Sequence, residues 1–338
     1  MNVIPFAASL SRFTWVLLVL LIPAAEYSGA QPAELEKSTV LKVGNDKVRA
    51  ISFSPSGKSL ATGAGKEVVI WDIVKHKKRS TFKQATTVGE LAFANSGSLV
   101  VVLQGYAAFW MQVIDPISGK QILPRGALRI CNGYPREEHA FTFRPGYKTV
   151  LVLTKKGEVS FWDISGKLLS FNQFVRIGKG KLEDMKFRAV DYARSGKCMV
   201  IGLDDGEVIH VDGRPTSAKP LKTKHKANVS AAAYSPTGRT FATASEDGQI
   251  LLWQANVNRT RSTLDGHNRS VSILKFSPKG KSLASASAYR VKLWNVRTGK
   301  IRALAQFDTR VNDMAFSPGG SLLAVAHGDQ VTLFKVPR

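Results

Sequence analysis

The chain has 338 residues, of which 44% are hydrophobic and 9% aromatic, a composition that suits a globular protein with a buried core. Its charge is unusual, because 48 Lys and Arg residues outnumber 25 Asp and Glu residues and give a formal net charge of +23 at pH 7. An excess of this size favours polyanionic partners. Only two cysteines occur, Cys131 and Cys198, which excludes a disulfide framework and a structural zinc site built on cysteines.

Residues 1–30 have the order of a secretory signal peptide. Arg12 precedes the apolar run 13–22, and the small residues 28–30 form an acceptable cleavage site before Gln31. A transmembrane helix needs roughly 20 apolar residues, and this run is shorter. We therefore predict an exported protein, periplasmic or extracellular. The alternative is a membrane anchor formed by an uncleaved N-terminal segment.

A turn signal recurs seven times along the rest of the chain, each time directly after an aromatic residue. Its usual form is Ser-Pro-x-Gly, in which Ser begins a type I turn, Pro fixes φ at the second position and Gly closes the turn. The signal therefore predicts a hairpin between two strands. Successive aromatic positions are 40 to 50 residues apart, at Phe53, Phe93, Phe143, Tyr192, Tyr234, Phe276 and Phe316.

Each turn is followed by a small-residue strand, a second turn and an apolar strand that ends in a bulky residue. In the fifth unit these are 241–245, 246–248 and 249–253. Short strands at regular spacing, with no helical periodicity between them, indicate an all-β repeat. Self-similarity at about 40 residues with four strands per unit indicates the blades of a β-propeller. The bulky residues are Trp71, Ile114, Trp162, Val211, Trp253, Trp294 and Phe334.

These units resemble WD repeats over residues 38–338. Trp71-Asp72 and Trp162-Asp163 carry the dipeptide that names the family, and Gly266-His267 matches its opening Gly-His. The resemblance implies a single seven-bladed β-propeller of four-stranded blades. It also implies a non-catalytic scaffold for protein–protein interaction.

The family resemblance further implies a structural set of hydrogen-bonded side chains within a blade: a His, a Ser or Thr, an Asp and the Trp. Only the fifth unit retains all four residue types. Such side chains satisfy buried polar groups and do not form a catalytic triad. The candidate members are His225, Thr243 or Ser245, Asp247 and Trp253.

The two ends of the chain are expected to share the last blade. The last unit stops after its third strand, 331–336, so its fourth strand must come from elsewhere. The segment 38–43 resembles the outer strands of other units, and we predict that it completes the seventh blade and removes open sheet edges. The predicted organisation is a signal peptide at 1–30, a short linker at 31–37 and the propeller at 38–338.

No catalytic residue, cofactor or metal is predicted. The sequence Gly57-Lys58-Ser59 imitates the end of a phosphate-binding loop, but Ser52 replaces the glycine required five residues earlier. The six histidines are scattered, and no nucleophile with its base is recognisable. A propeller enzyme is therefore the less favoured interpretation, and no small-molecule substrate is expected.

Candidate binding residues come from the face where the chain enters the innermost strand of each blade. The first exposed positions there include Arg49, His139, Arg188 and Asn312, with Lys47 beside them. We hypothesise that an acidic peptide or protein segment binds a monomeric propeller there, because arginine can bind a carboxylate through two parallel donors. The same residues would equally suit the solvated mouth of a channel.

A second hypothesis rests on the basic clusters 75–79, 176–181 and 219–226. They would bind a polyanion (an anionic polysaccharide, a membrane surface or nucleic acid) with an affinity that falls steeply as salt rises. No strip of alternating aromatic and basic residues is evident, which argues against a platform for stacking single-stranded bases. The long links 116–137 and 170–186 are further candidates for binding loops.

Overall fold

The described part of the chain folds into β-strands joined by turns. The computed structural model describes residues 32–104, 108–122, 128–132, 140–144, 149–153, 159–163, 168–171, 186–193, 195, 198–212 and 219–337. The predicted signal peptide, 1–30, lies outside these residues. Within them, no helix has the length and apolar composition needed to cross a bilayer.

The chain begins with β1 (Ala33–Glu34) and β2 (Glu36–Lys42) and then forms one sheet per repeat. Sheet 1 contains β3 (Val48–Phe53), β4 (Ser59–Ala64), β5 (Glu67–Asp72) and β6 (Lys77–Lys83). Sheet 2 contains β7 (Thr87–Phe93), β8 (Leu99–Gln104), β9 (Ala108–Ile114) and β10 (Leu128–Asn132). Sheet 3 contains β11 (Ala140–Arg144), β12 (Thr149–Leu153), β13 (Val159–Asp163) and β14 (Leu168–Phe171).

The later repeats follow the same order. Sheet 4 contains β15 (Phe187–Tyr192), β16 (Cys198–Leu203), β17 (Val208–Asp212) and β18 (Lys219–Pro220). Sheet 5 contains β19 (Val229–Tyr234), β20 (Thr240–Ser245), β21 (Ile250–Gln254) and β22 (Arg259–Leu264). Sheet 6 contains β23 (Ile273–Phe276), β24 (Ser282–Ser287), β25 (Arg290–Asn295) and β26 (Ile301–Gln306). Sheet 7 contains β27 (Val311–Phe316), β28 (Leu322–His327) and β29 (Gln330–Lys335), to which β2 is added.

The two ends of the chain meet in sheet 7. β2 pairs antiparallel with β29, in a register that places Leu41 opposite Val331 and Lys42 opposite Gln330. This is the pairing predicted for the N-terminal strand. It covers the outer edge of β29, which would otherwise expose unpaired backbone groups.

The number of strands per sheet differs from the prediction. Within the described residues, six sheets are four-stranded blades, but sheet 6 has five strands, because β1 pairs in parallel with β26. The prediction of seven four-stranded blades is therefore wrong. The extra strand forms because the edge of β26 offers free backbone groups, one of which accepts the Leu35 N–H at 2.8 Å, and because the Leu35 side chain is buried in the adjoining core. The segment 31–37, expected to be a linker, thus contains β1 and the start of β2.

The core lies between neighbouring sheets rather than in one central mass. Strands β20 and β24 are buried along their whole length, and their small residues let adjacent sheets approach closely. The buried side chains of Trp253 and Trp294 fill the wider space between the sheets. Each apolar cluster of the described residues draws on two adjacent sheets, and together these clusters link sheets 4, 5, 6, 7, 1 and 2 in that order. Examples are Val48 with Leu333, Ile70 with Leu91, Phe241 with Val200, Leu252 with Leu274, and Val291 with Val325.

The turns between first and second strands lie side by side around the ring. The β-carbon position of Gly57 lies 3.4 Å from Pro318, that of Gly320 lies 3.4 Å from Pro278, and that of Gly280 lies 2.7 Å from the Ser235 hydroxyl. Because the strands of a sheet alternate in direction, the turns between third and fourth strands lie at the same end. We call this end the turn face, and the opposite end, where loops lead into the innermost strands, the entry face.

Candidate partner-binding face

The predicted binding positions on the entry face coincide with β-bulges. In five innermost strands, a register shift directly follows the buried residue at or near the start of the strand. These strands are β3, β7, β15, β19 and β27. A bulge inserts one unpaired residue and re-aims its side chain. The bulged residues are Arg49, Gly89, Arg188, Ser230 and Asn312.

Several bulged side chains bind the next sheet in the ring. The Asn312 Nδ2 donates to the Val48 carbonyl at 2.9 Å, and the Ser230 hydroxyl donates to the Val271 carbonyl at 2.6 Å. Both carbonyls belong to the residue just before the equivalent position of the neighbouring repeat. The bulged position therefore links adjacent sheets, and the Asn312 side chain is already engaged in such a structural hydrogen bond.

Arg188 is also engaged with the next sheet. Its Nη2 lies 3.1 Å from Glu246 Oε1, and the second oxygen of that carboxylate accepts a hydrogen bond from Asn228 Nδ2 at 3.1 Å. The Arg188 side chain is half-buried, whereas Glu246 is exposed. The guanidinium is thus oriented by an ion pair that the sequence did not reveal.

The structure brings together only part of the predicted set. Lys47 and Arg49 are both exposed and flank Val48, whose carbonyl binds Asn312. Within the described part of the chain, neither Lys47 nor Arg49 has an ion pair. Arg188 belongs to sheet 4, away from this group around the ring. The predicted His139 lies outside the described residues.

A group of charged side chains in the centre of the ring was not predicted from the sequence. Lys275 of sheet 6 interacts electrostatically with Asp313 of sheet 7, Glu90 of sheet 2 and Asp191 of sheet 4. Side chains from sheets so far apart can meet only near the ring axis. In the sequence, each of these charged residues stands one or three positions before the aromatic residue that precedes the repeated turn. That spacing could have marked them, but only the ring geometry shows that the four side chains converge.

Two of the central carboxylates also tie neighbouring sheets together. Asp313 Oδ2 accepts the Ile51 N–H at 2.9 Å, and Asp191 Oδ2 accepts the Tyr234 N–H at 2.6 Å. Each bond runs from the innermost strand of one sheet to that of the next. These carboxylates therefore complete edge hydrogen bonds that the sheets cannot make internally.

Desolvation and mutual repulsion affect the acids of this centre. Desolvation, followed by the charge of Asp313, raises the pKa of Glu90. Desolvation also raises the pKa of Asp313, although Lys275 opposes it. Desolvation lowers the pKa of Lys275, but the three carboxylates outweigh it and hold the pKa above its ordinary value. The side chains of Glu90 and Lys275 remain exposed to water, which limits the desolvation of both groups.

The structural set predicted in the fifth repeat is built around Thr243. Its hydroxyl lies 2.7 Å from His225 Nε2 and accepts the Trp253 Nε1–H at 2.9 Å, and all three residues are buried. The Ser245 hydroxyl instead donates to Asp247 Oδ1, which caps the turn by accepting the Gln249 N–H at 2.8 Å. Ser245 and Asp247 therefore stabilise the turn and do not contact the His225 ring nitrogens directly.

Related contacts recur in other sheets with different members. Ser285 replaces Thr243 in sheet 6, where its hydroxyl lies 2.6 Å from His267 Nε2 and accepts the Trp294 Nε1–H at 2.8 Å. Burial lowers the pKa of both His225 and His267 to about 4. Both imidazoles are therefore neutral at pH 7, and the Nε2 of each is engaged by a structural hydroxyl, which does not favour a role as a catalytic base.

Metal and thiol chemistry find no further support in the described residues. Among them, no group of three or more His, Cys, Asp or Glu side chains could hold a metal ion. Cys198 is a thiol whose Sγ lies 3.2 Å from Asp212 Oδ1. A cavity of about 280 Å³ opens on the turn face between sheets 1 and 2, lined by residues that include Ser54, Arg79 and Ile117.

Comparison with protein families agrees with the repeat pattern and the observed sheets. A family model described as WD domain, G-beta repeat, matches residues 36–72. A second model, described as Nucleolar protein 10-like, N-terminal domain, matches residues 135–338, which is more than half of the chain. No curated protein matches the chain. The chain therefore belongs to the Nucleolar protein 10-like N-terminal domain family and is a WD-repeat β-propeller.

Proposed function

We propose that this protein is an exported, non-catalytic scaffold whose entry face binds an acidic protein or peptide segment. WD-repeat propellers typically act as interaction scaffolds. The observation that carries the proposal is a pair of exposed cations at the start of β3: Arg49 on its bulge and Lys47 just before the strand. A side chain fixed by a packed element loses less conformational freedom on binding than one on an unsupported loop.

Arg188 supports the same proposal through its orientation. Its ion pair with Glu246 holds the half-buried guanidinium in place. A guanidinium carries its N–H donors in a planar fork, a geometry that suits recognition of a carboxylate. An acidic segment would thus contact two separate places on the ring, at Arg49 and at Arg188.

The absence of a plausible reaction centre among the described residues also favours binding over catalysis. The buried histidines contact structural hydroxyls, and the central carboxylates bind backbone N–H groups or lie beside Lys275. None of these groups pairs a nucleophile with a base. Export is inferred from the apolar run 13–22 and the small residues 28–30.

Affinity capture from the native host, followed by mass spectrometry, tests this function. Arg49→Glu should abolish capture of the acidic partner, and Arg188→Gln should weaken it while leaving an amide to bind Glu246. Lys42→Glu, the same charge reversal at an exposed position of β2, is the matched control and should capture normally. Unchanged capture by both Arg49→Glu and Arg188→Gln, with unaltered unfolding midpoints, would rule out this site.

A second candidate function is binding to a polyanion, favoured by the net charge of +23. Such binding is driven by release of counterions and weakens steeply as salt rises. Capture repeated at two ionic strengths separates the two functions. A defined protein retained at high salt supports the scaffold, and recovery of polyanions alone, lost at high salt, supports the second candidate.

A further inference from the structure

We propose that the turn face binds an anionic lipid bilayer, with aliphatic turn residues inserted among the lipids and surrounding lysines and arginines on the headgroups. The inference deepens the second candidate function, polyanion binding, and narrows the polyanion to a membrane surface. It concerns the face opposite to Arg49 and Arg188 and does not depend on the acidic partner.

Charge is distributed unequally between the two faces. The entry face carries many carboxylates among its lysines and arginines, including Asp46, Asp204, Asp205, Glu246, Asp265, Asp308 and Asp329. On the turn face, the exposed basic residues of the described turns are Lys58, Lys75, Lys77, Lys120, Arg239, Arg259, Lys279, Lys281, Arg297 and Lys300. Among the described residues, the excess of basic over acidic side chains is therefore larger on the turn face than on the entry face.

The few carboxylates of the turn face already have partners. In the described turns they are Asp72, Asp115 and Asp212. Asp72 Oδ1 accepts the N–H groups of Lys75 and Val74 at 2.9 and 3.0 Å, and these bonds lower the pKa of Asp72. Asp115 accepts bonds from Ser118 and Ile117 in the same way. The carboxylates of Asp72 and Asp115 therefore fold back into their own turns, and Asp212 Oδ1 lies 3.2 Å from Cys198 Sγ.

A basic residue follows the tight turn after the third strand in each of the four repeats where the positive-φ residue of this turn is described. The turn ends with a residue of positive φ, as at His76 and Gly119, which fixes the direction of the next side chain. That next residue is exposed in every case. The four residues are Lys77, Lys120, Arg259 and Lys300.

The same turns expose aliphatic side chains at their tips. Val74 is 77% exposed, Ile117 65% and Val257 56%. Val74 and Ile117 occupy the equivalent turn position in the adjacent sheets 1 and 2, two residues before the positive-φ residue. Scattered exposed apolar residues are common. Here, however, three occur at the tips of one face, each within two or three residues of an exposed cation.

This combination fits a bilayer better than a hydrophilic polymer. Aliphatic side chains gain by leaving water for the acyl boundary, while nearby cations are attracted to anionic headgroups. A nucleic acid or polysaccharide would use the cations but leave Val74, Ile117 and Val257 in water. The described turns of this face contain no Phe, Tyr or Trp on which bases or sugar rings could stack.

Co-sedimentation with lipid vesicles tests the proposal. The protein should bind phosphatidylcholine vesicles that contain phosphatidylserine and should not bind vesicles of phosphatidylcholine alone. Val74→Ser with Ile117→Ser should weaken vesicle binding about tenfold. Lys75→Gln with Lys77→Gln should weaken it about fivefold for each lysine removed.

Two matched controls separate the turn face from the rest of the surface. Val40→Ser and Lys42→Gln make the same changes at exposed positions of β2 and should leave vesicle binding unchanged. All proteins keep the same N-terminus, so any contribution of the apolar run 13–22 cancels in the comparison. Because every substituted side chain is exposed, the unfolding midpoints should agree, and circular dichroism checks this.

Binding to heparin and to double-stranded DNA identifies which part of the reasoning fails. Loss of vesicle binding in Val74→Ser/Ile117→Ser, with heparin binding retained, supports the bilayer. Binding to heparin or DNA but not to phosphatidylserine vesicles overturns the bilayer and leaves polyanion binding intact. Binding to none of them overturns both. Equal binding to phosphatidylcholine alone, or an unaffected Val74→Ser/Ile117→Ser protein, also overturns the proposal.

Discussion

Acidification should destabilise this protein through His225 and His267. Burial lowers the pKa of each imidazole to about 4 in the folded protein, against an ordinary value of 6.5. Between these values the unfolded chain binds a proton at each site that the folded protein does not. Stability is therefore complete above about pH 6.5 and falls as the pH is lowered towards 4.

The size of the effect follows from linkage. Lowering the pH from 7 to 5 should cost about 2 kcal/mol for each histidine, or about 4 kcal/mol for the pair. Both residues are buried, with exposures of 1% and 8%, so solvent screening does not remove the effect. A loss of this size is a large share of the total stability of a typical domain, about 5–15 kcal/mol.

Equilibrium urea denaturation at pH 7 and pH 5 measures this loss. The comparison protein is His225→Gln/His267→Gln, which should be less stable at pH 7 but should lose about 4 kcal/mol less on acidification. Other titrating groups affect both proteins equally and cancel in the difference. If the double variant does not fold, each single variant should remove half of the pH effect. An identical pH dependence in the parent and the variants would refute the reasoning.

Three further predictions concern stability. Thr243→Val should cost about 2–4 kcal/mol, because it removes the partner of both Trp253 and His225. Thr62→Val should cost about half as much, because Thr62 accepts one indole N–H and its other bond, to the Val69 carbonyl, is long at 3.4 Å. Urea denaturation measures both losses. Gly206→Ala should lower the melting temperature more than Gly97→Ala, although both glycines have positive φ. An added β-carbon at Gly206 would lie 2.4 Å from a backbone oxygen, whereas one at Gly97 would have nothing within 4 Å. Deletion of residues 32–42 should abolish the cooperative unfolding transition seen by circular dichroism, because β29 and β26 lose their outer partners.

Much of the strand pattern could be predicted because it depends on local turn chemistry. The aromatic residue before each Ser-Pro-x-Gly turn ends the first strand of its sheet, as Phe53 ends β3 and Tyr234 ends β19. Trp71 and Trp253 lie near the end of third strands, as their repeat position indicated. Such features need only a few neighbouring residues to form.

The features that the sequence did not predict depend on distant parts of the chain. β1 has two residues and no periodicity, and it forms only because β26 offers an edge and a place for Leu35. The bulge at Arg49 is a register shift, which leaves no mark in the composition of the strand. Arg188 meets Glu246, 58 positions away, and the two were not recognised as partners. Sequence patterns therefore located the candidate face but not the bonds that occupy it.

The pairing of β2 with β29 gives the protein an unusual order of assembly. Glu36 and Lys335, which form an ion pair across this closure, are 299 positions apart, so β2 must wait for β29 at the other end of the sequence before it finds its partner. Contacts between such distant positions form slowly, and strands that wait for a partner present open edges. β2 and β29 are therefore the segments that would benefit most from a chaperone during synthesis. Once β2 is in place, β29 no longer offers an open edge on which a second chain could add a strand, so closure also protects the protein from association through this sheet.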